Sequence, residues 1–355
     1  VAPYYYHKAK KGATSTVVSV DIGGGTTDVL IVDKGEPKYL TSFRFAANTI
    51  FGDGYSYDSD SNGFVNKYKD IITNQLETNN LRGLKAVLKS VLDKRVSTDV
   101  IAFLFSLASN KEIKKEKVEI NFAKMLADDN RGKYVVILFY VAIVYHIAKL
   151  MKAKGFDMPR HMTFSGNGSK VLNILSTNDA TLVRLTKIIF EEIYAQSYSI
   201  DGLDIIRPAN SKESTCKGGI ILTPFQSQDY GEIKDMKTIL IGTDNEKFAD
   251  VHMTYNDVTE ADLDSVVDVI KEYIEFTFKL DKKFSFYDNF DVDRSIMNKV
   301  KDLCYRDIRT YLENGLAIKK SEIAQDGADD NLEETLFFYP LVGIINAVVR
   351  NIYQM

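Results

Sequence analysis

The residues best suited to chemistry stand in one short run, Asp21-Ile-Gly-Gly-Gly-Thr-Thr-Asp28. Its three glycines, Gly23, Gly24 and Gly25, lie between two β-branched apolar segments, Thr16–Ile22 and Thr27–Val32. That order predicts a hairpin with the glycines in its turn. Glycine in such a turn accepts positive φ and lets a ligand approach the backbone. Successive turn residues can aim several N–H groups into one concavity, which suits an anion such as phosphate. The spacing is not that of a P-loop, because no lysine follows where G-x-x-x-x-G-K-[ST] needs one. Asp21, at a strand end, is placed to hold a metal-bound water or accept a proton. Asp28 can fix the loop through its backbone amides, and Thr26 can offer a hydroxyl to a phosphate oxygen. From backbone chemistry alone, a glycine-rich hairpin with no ligand accounts for the same residues.

The elements that must position this run follow from pattern. Two predicted strands flank the glycines, Asp33-Lys-Gly-Glu36 is a turn signal, and Lys38–Phe45 is a third strand. Three strands with such short links form an antiparallel meander, because parallel neighbours need long crossovers. A Gly/Ser/Asp-rich stretch, Gly52–Gly63, leaves the core for a mostly helical segment, about 64–154. Helical spacing marks Asn80–Leu92, Asp99–Ser106 and Tyr134–Met151. A strand at Arg160–Phe164, a loop at Ser165–Ser169 and a helix from Lys170 come next. Then a helix at Ala180–Tyr194, a strand at Leu203–Arg207 and a helix at Ser211–Leu222 are expected. Beyond them, strands are expected at Thr238–Ile241 and Asp250–Tyr255. Helices are expected at Glu260–Phe278 (with Thr259 and Asp262 as an N-cap signal), Arg294–Glu313 and Glu333–Tyr353.

"DIGGGTTD" resembles the second phosphate-binding motif of the actin, hexokinase and heat-shock-chaperone ATPase superfamily, and is most similar to the chaperones and the bacterial actin-like cell-division proteins. "MTFSGNGSKVLNIL", Met162–Leu175, resembles the adenosine motif of that superfamily, with Asn167 where glycine is commoner. "FAANTIFGDG", Phe45–Gly54, resembles the segment after the third strand, where a glycine and an acidic residue approach the phosphates. "ANSKESTCKGGIIL", Ala209–Leu222, is similar to the helix at the lobe interface, with Ser214/Gly218 and Thr215/Gly219 at i, i+4 spacing. The resemblance spans about residues 16–224. It implies an α/β, ribonuclease H-like second ATPase lobe over 1–224, with a helical insertion at about 54–156. Residues 225–355 form an extra, mainly helical region outside it.

The resemblance also implies site roles. Asp21 is the base or water holder, binding Mg2+ through water, with Thr26 beside it as a catalytic residue. Gly23, Gly24, Gly25, Thr27 and Asp28 cradle the phosphates of ATP, and Gly52 and Asp53 approach them. Gly166, Asn167, Gly168, Ser169 and Lys170 receive the adenosine. The first lobe, expected as the partner, precedes the motif in the superfamily, and Val1 opening in mid-pattern suggests a piece of a longer protein. The rival reading is a non-catalytic actin-like adaptor or self-assembling module; a small-molecule kinase is a third, for which "GGGTTD" is less typical.

Composition narrows the classes. With 45% hydrophobic and 26% charged residues the chain reads as an ordinary globular protein. A net charge of −4 gives no footing for nucleic acid, whose partners are usually basic. Two cysteines, Cys216 and Cys304, make no disulfide framework and fit a cytoplasmic setting. The apolar runs Tyr134–Ala148 and Leu336–Val349 fall short of the ~20 residues a bilayer needs, so both are expected as buried helices and no transmembrane segment is expected. Asp58–Gly63 matches half of a calcium loop, but Lys69 stands where the bidentate glutamate belongs, which favours a polar turn. Asp288, Asp291 and Asp293 read as a loop and helix cap, and His146 as a core residue.

Overall fold

Valine-rich β1 (Val17–Ile22) is buried along almost its whole length, which is why it reads VVSVDI rather than alternating. The structure, a computed structural model, describes residues 16–52, 62–199, 202–208, 234–235, 238–240, 247–248, 254–326, 331–332 and 334–355. β2 (Thr27–Asp33) runs antiparallel to β1, and β3 (Glu36–Phe43) antiparallel to β2, as the short links require. Between β2 and β3, Lys34 and Gly35 have φ of 51° and 84°, the pair of positive values a type I′ hairpin demands. β4 (His161–Ser165) lies parallel to β1, and β5 (Asp204–Ile206) parallel to β4. A two-residue strand, β6 (Lys234–Asp235), borders β3, giving a mixed sheet of order β5-β4-β1-β2-β3-β6. β7 (Thr238–Leu240) and β8 (Lys247–Phe248) make a separate pair. Of the strand expected at 250–255, the described residues give a bridge between Thr254 and Asn331. The helix expected at 211–222 lies outside the described residues.

Between β3 and β4 come α1 (Ala47–Phe51), α2 (Gly63–Thr78), α3 (Arg82–Asp93), α4 (Ser97–Ser106), α5 (Lys111–Lys115), α6 (Phe122–Ala127) and α7 (Lys133–Ala153). The insertion is helical, as expected. Asn62, from the half-calcium pattern, is a buried N-cap. Its side chain accepts from the Val65 amide and donates to the Gly52 carbonyl at 3.0 Å. The α7 helix corrects the length argument: at 21 residues it is long and apolar enough to cross a bilayer by length and composition. In this fold it is the central core helix, with 94% of its most apolar window buried.

After β4 a 3-10 turn (Asn167–Val171) and one turn of helix, α8 (Leu172–Leu175), replace the longer helix expected from Lys170. Ser176 is extended, and Asn178 then caps α9 (Asp179–Tyr194) by accepting from the Ala180 amide. The C-terminal region contributes α10 (Glu260–Phe284), α11 (Phe286–Phe290), α12 (Met297–Tyr305), α13 (Ile308–Asp326) and α14 (Phe338–Asn351). Thr259 and Asp262 form the expected capping box. The helix expected at 294–313 is broken, because Arg306 is extended and Asp307 has φ of 55°. Asp288 and Asp293 act in turns and caps, as expected.

One hydrophobic cluster joins the sheet, the insertion and the C-terminal helices. Phe338 stacks on Phe43 at 4.1 Å and on Phe45 at 4.8 Å between ring centres. His146 packs against Phe43, Phe337 and Phe338, a core residue as expected. Tyr273 of α10 donates to the Leu138 carbonyl of α7 at 2.6 Å. The apolar run Leu336–Val349 is buried, with Pro340 in the first turn of α14, where a missing N–H costs little.

Candidate functional site

Parallel pairing brings the two glycine loops together. Asp21 pairs with Ser165 of β4 on one side and Asp28 of β2 on the other. Both loops therefore leave the same edge of the sheet, although 144 residues separate the hydrogen-bonded pair Ser19 and Thr163 beneath them. Gly166 has φ of 81°, and a Cβ there would lie 2.2 Å from the Ile22 carbonyl oxygen and 2.3 Å from Asp21 Oδ1. A Cβ on Gly168 would lie 2.1 Å from the Gly23 oxygen. Side chains cannot fit at either position, so glycine is what lets the loops touch.

The turn itself is tight. The Gly23 amide donates to the Thr26 carbonyl at 2.9 Å. The Gly23 and Gly24 carbonyls accept from the amides of Ala47 and Asn48 at the start of α1. Gly24, Gly25 and Thr26 are exposed, and among the described residues the amides of Gly24 and Gly25 meet no acceptor. A Cβ on Gly25 would meet nothing within 4 Å. Donors, open space and a closed turn are what an oxyanion needs.

The remaining expected residues divide. Thr27 is fully buried and its hydroxyl donates to the Phe45 carbonyl at 2.6 Å, so it holds the loop to the segment after β3. Asp28, Asn167 and Lys170 are exposed beside the loops. Ser169 is buried and its hydroxyl donates to the Gly166 carbonyl at 2.7 Å, closing the second loop. Gly52 ends α1: its amide donates to the Asn48 carbonyl, and its own carbonyl accepts from Asn62 and Asn346. Asp53 lies outside the described residues. Asp21 is half-buried; burial and the neighbouring Asp28 carboxylate raise its pKa, against a hydrogen bond from Ser165. A raised carboxylate is better suited to taking a proton. Among the described residues no group of three His, Cys, Asp or Glu is placed to hold a metal ion.

A cleft of about 290 Å³ opens beside the turn, lined by Gly25, Asn48 and Gly52 together with Arg44, Lys319 and Tyr339. The Arg44 amide donates to Glu334 Oε2 at 2.7 Å, and its guanidinium pairs with Glu322 and lies 3.9 Å from Glu334. Tyr339 donates to Glu334 at 3.1 Å. Burial raises the Glu334 pKa, while Arg44 and Tyr339 oppose the rise. Sequence reasoning missed this wall. Asn48 lay within the quoted "FAANTIFGDG", but Glu334 stands 290 positions from Arg44 and no local pattern links them.

No protein-family model matches the chain, and comparison with curated proteins gives no significant match.

Proposed function

We propose that this chain is the second nucleotide-binding lobe of an actin-like ATPase, with the Gly23–Thr26 turn taking the phosphates of ATP and the Gly166–Lys170 loop its adenosine. The observation that carries the reading is the contact between these two loops at one edge of the sheet, with Asp21 at their junction. The strand order β3-β2-β1-β4-β5, antiparallel within the meander and parallel across β1, β4 and β5, also supports a ribonuclease H-like core.

Bound ATP with Mg2+ would supply a terminal phosphoryl group open to attack by water. The chain's own residues have simpler tasks. The Gly24 and Gly25 amides hold phosphate oxygens, and the Thr26 hydroxyl adds a donor. Asp21 orients a water and takes its proton, helped by a carboxyl pKa that burial raises. Ser165 ties the end of β4 to β1 through the Val20 carbonyl, and Ser169 closes the second loop on the Gly166 carbonyl. A first lobe supplies the remaining phosphate contacts, so this lobe alone binds more readily than it hydrolyses.

Equilibrium binding of ATP with Mg2+ to the wild-type chain and to Gly25→Val tests the reading. Valine at 25 meets no atom of the fold within 4 Å of its Cβ, yet projects into the space beside the turn amides. Saturable binding lost in Gly25→Val, at unchanged melting temperature, is the expected result. Binding that valine leaves intact rejects the turn as the phosphate site.

A further inference from the structure

The Gly25 cleft has a charged wall, Arg44 and Lys319 with Glu322 and Glu334, that the glycine motif does not explain. Arg44 follows β3 directly and lines this cleft with Gly25 and Asn48. Its main chain is fixed: the amide bonds Glu334, and the flanking Phe43 and Phe45 are buried against Phe338. Its side chain, 52% exposed, pairs with Glu322 on α13, whose side chain is 42% exposed.

We propose that Arg44 is a cationic ligand for the oxyanion held on the Gly23–Thr26 turn, and that taking up the anion draws its guanidinium away from Glu322 on α13. The proposal rests on the nucleotide reading of the turn. An exposed Arg–carboxylate pair contributes little to stability. A phosphate offers the same fork two oxygens and more charge, which a planar guanidinium matches in bidentate fashion. Exchange of one partner for the other is therefore favourable once the anion sits on the turn. Glu334 keeps the Arg44 backbone in place during the swing, because it bonds the amide as well as facing the guanidinium. Glu322 has no such second hold on Arg44.

The structure also names the competitor, which gives a gain-of-affinity test. ATP with Mg2+ is titrated into the whole chain by calorimetry. Arg44→Ala should weaken binding about tenfold, and Arg44→Lys, which keeps the charge and loses the fork, should fall between. Glu322→Gln should tighten binding severalfold, a result no misfolded variant can give. Inorganic phosphate in place of ATP should show the same order of variants at lower affinity. If the wild type binds, Gly25→Val does not, and Arg44→Ala binds as the wild type does, the latch is wrong and the nucleotide site stands. A Glu322→Gln variant that binds no tighter overturns it equally. A wild type that binds neither ATP nor phosphate overturns both.

Discussion

Replacing Gly166 by alanine separates the two loops if they touch as described. The cost has two parts. Alanine at φ of 81° occupies a backbone region that L-residues avoid, worth about 1–2 kcal/mol. The added carbon would sit 2.2 Å from the Ile22 oxygen and 2.3 Å from Asp21 Oδ1, so β1 and the loop after β4 must part. Overpacking of that kind costs about 1–3 kcal/mol, giving a total of about 2–5 kcal/mol. Gly25→Ala is the matched control, since its Cβ meets nothing within 4 Å and its φ is not positive. Loss of unfolded-state freedom makes that change neutral or stabilising by up to ~1 kcal/mol. Urea unfolding of the two variants beside wild type measures the difference. Equal midpoints for Gly166→Ala and Gly25→Ala would refute the contact between the loops.

Phe338→Ala removes a ring stacked on both Phe43 and Phe45; a loss of about 3–5 kcal/mol in denaturant unfolding is expected, and a loss under 1 kcal/mol would detach α14 from the sheet core. Burial opposes ionisation of Asp129, but hydrogen bonds from Tyr353, Lys67 and the Gly132 amide outweigh it and hold its carboxyl below the ordinary range. Its stabilisation is thus present above the unfolded pKa and lost as pH falls through the folded one, so Asp129→Asn should cost most near pH 7 and progressively less below about pH 4 in pH-resolved melts. Burial lowers His146 to about 3. The unfolded chain therefore takes a proton at this residue below about pH 6.5 that the folded chain refuses, and stability falls from there toward pH 3. His146→Leu should flatten that acid limb, and the His146 ring signals of the wild type should not titrate between pH 8 and 5.

Much of the site was legible because its determinants are local. Gly23–Gly25 and the pair Gly166 and Gly168 stand where strands end, and parallel pairing of β1 with β4 does the rest. The capping box at Thr259 and the burial of Leu336–Val349 follow from spacing alone. Other features depend on contacts that sequence does not display. Nothing in Tyr305-Arg-Asp307 breaks a helix by composition, yet the positive φ of Asp307 turns the chain there. The apolar run at 134–148 falls short of α7, although helical spacing over 134–151 matches it to within two residues at each end. Thr27 reads as a phosphate ligand by motif, but its hydroxyl is taken by Phe45. Arg44, Glu322 and Glu334 meet only through the tertiary fold.

Hydrogen exchange with and without ATP and Mg2+ tests the nucleotide site most directly. The Gly24 and Gly25 amides lack acceptors among the described residues, so they should exchange fast in the free chain. Saturating nucleotide should slow exchange in Gly23–Thr26 and in Gly166–Lys170 together, at one apparent affinity. Nucleotide that protects neither loop, or protects one without the other, would contradict the account.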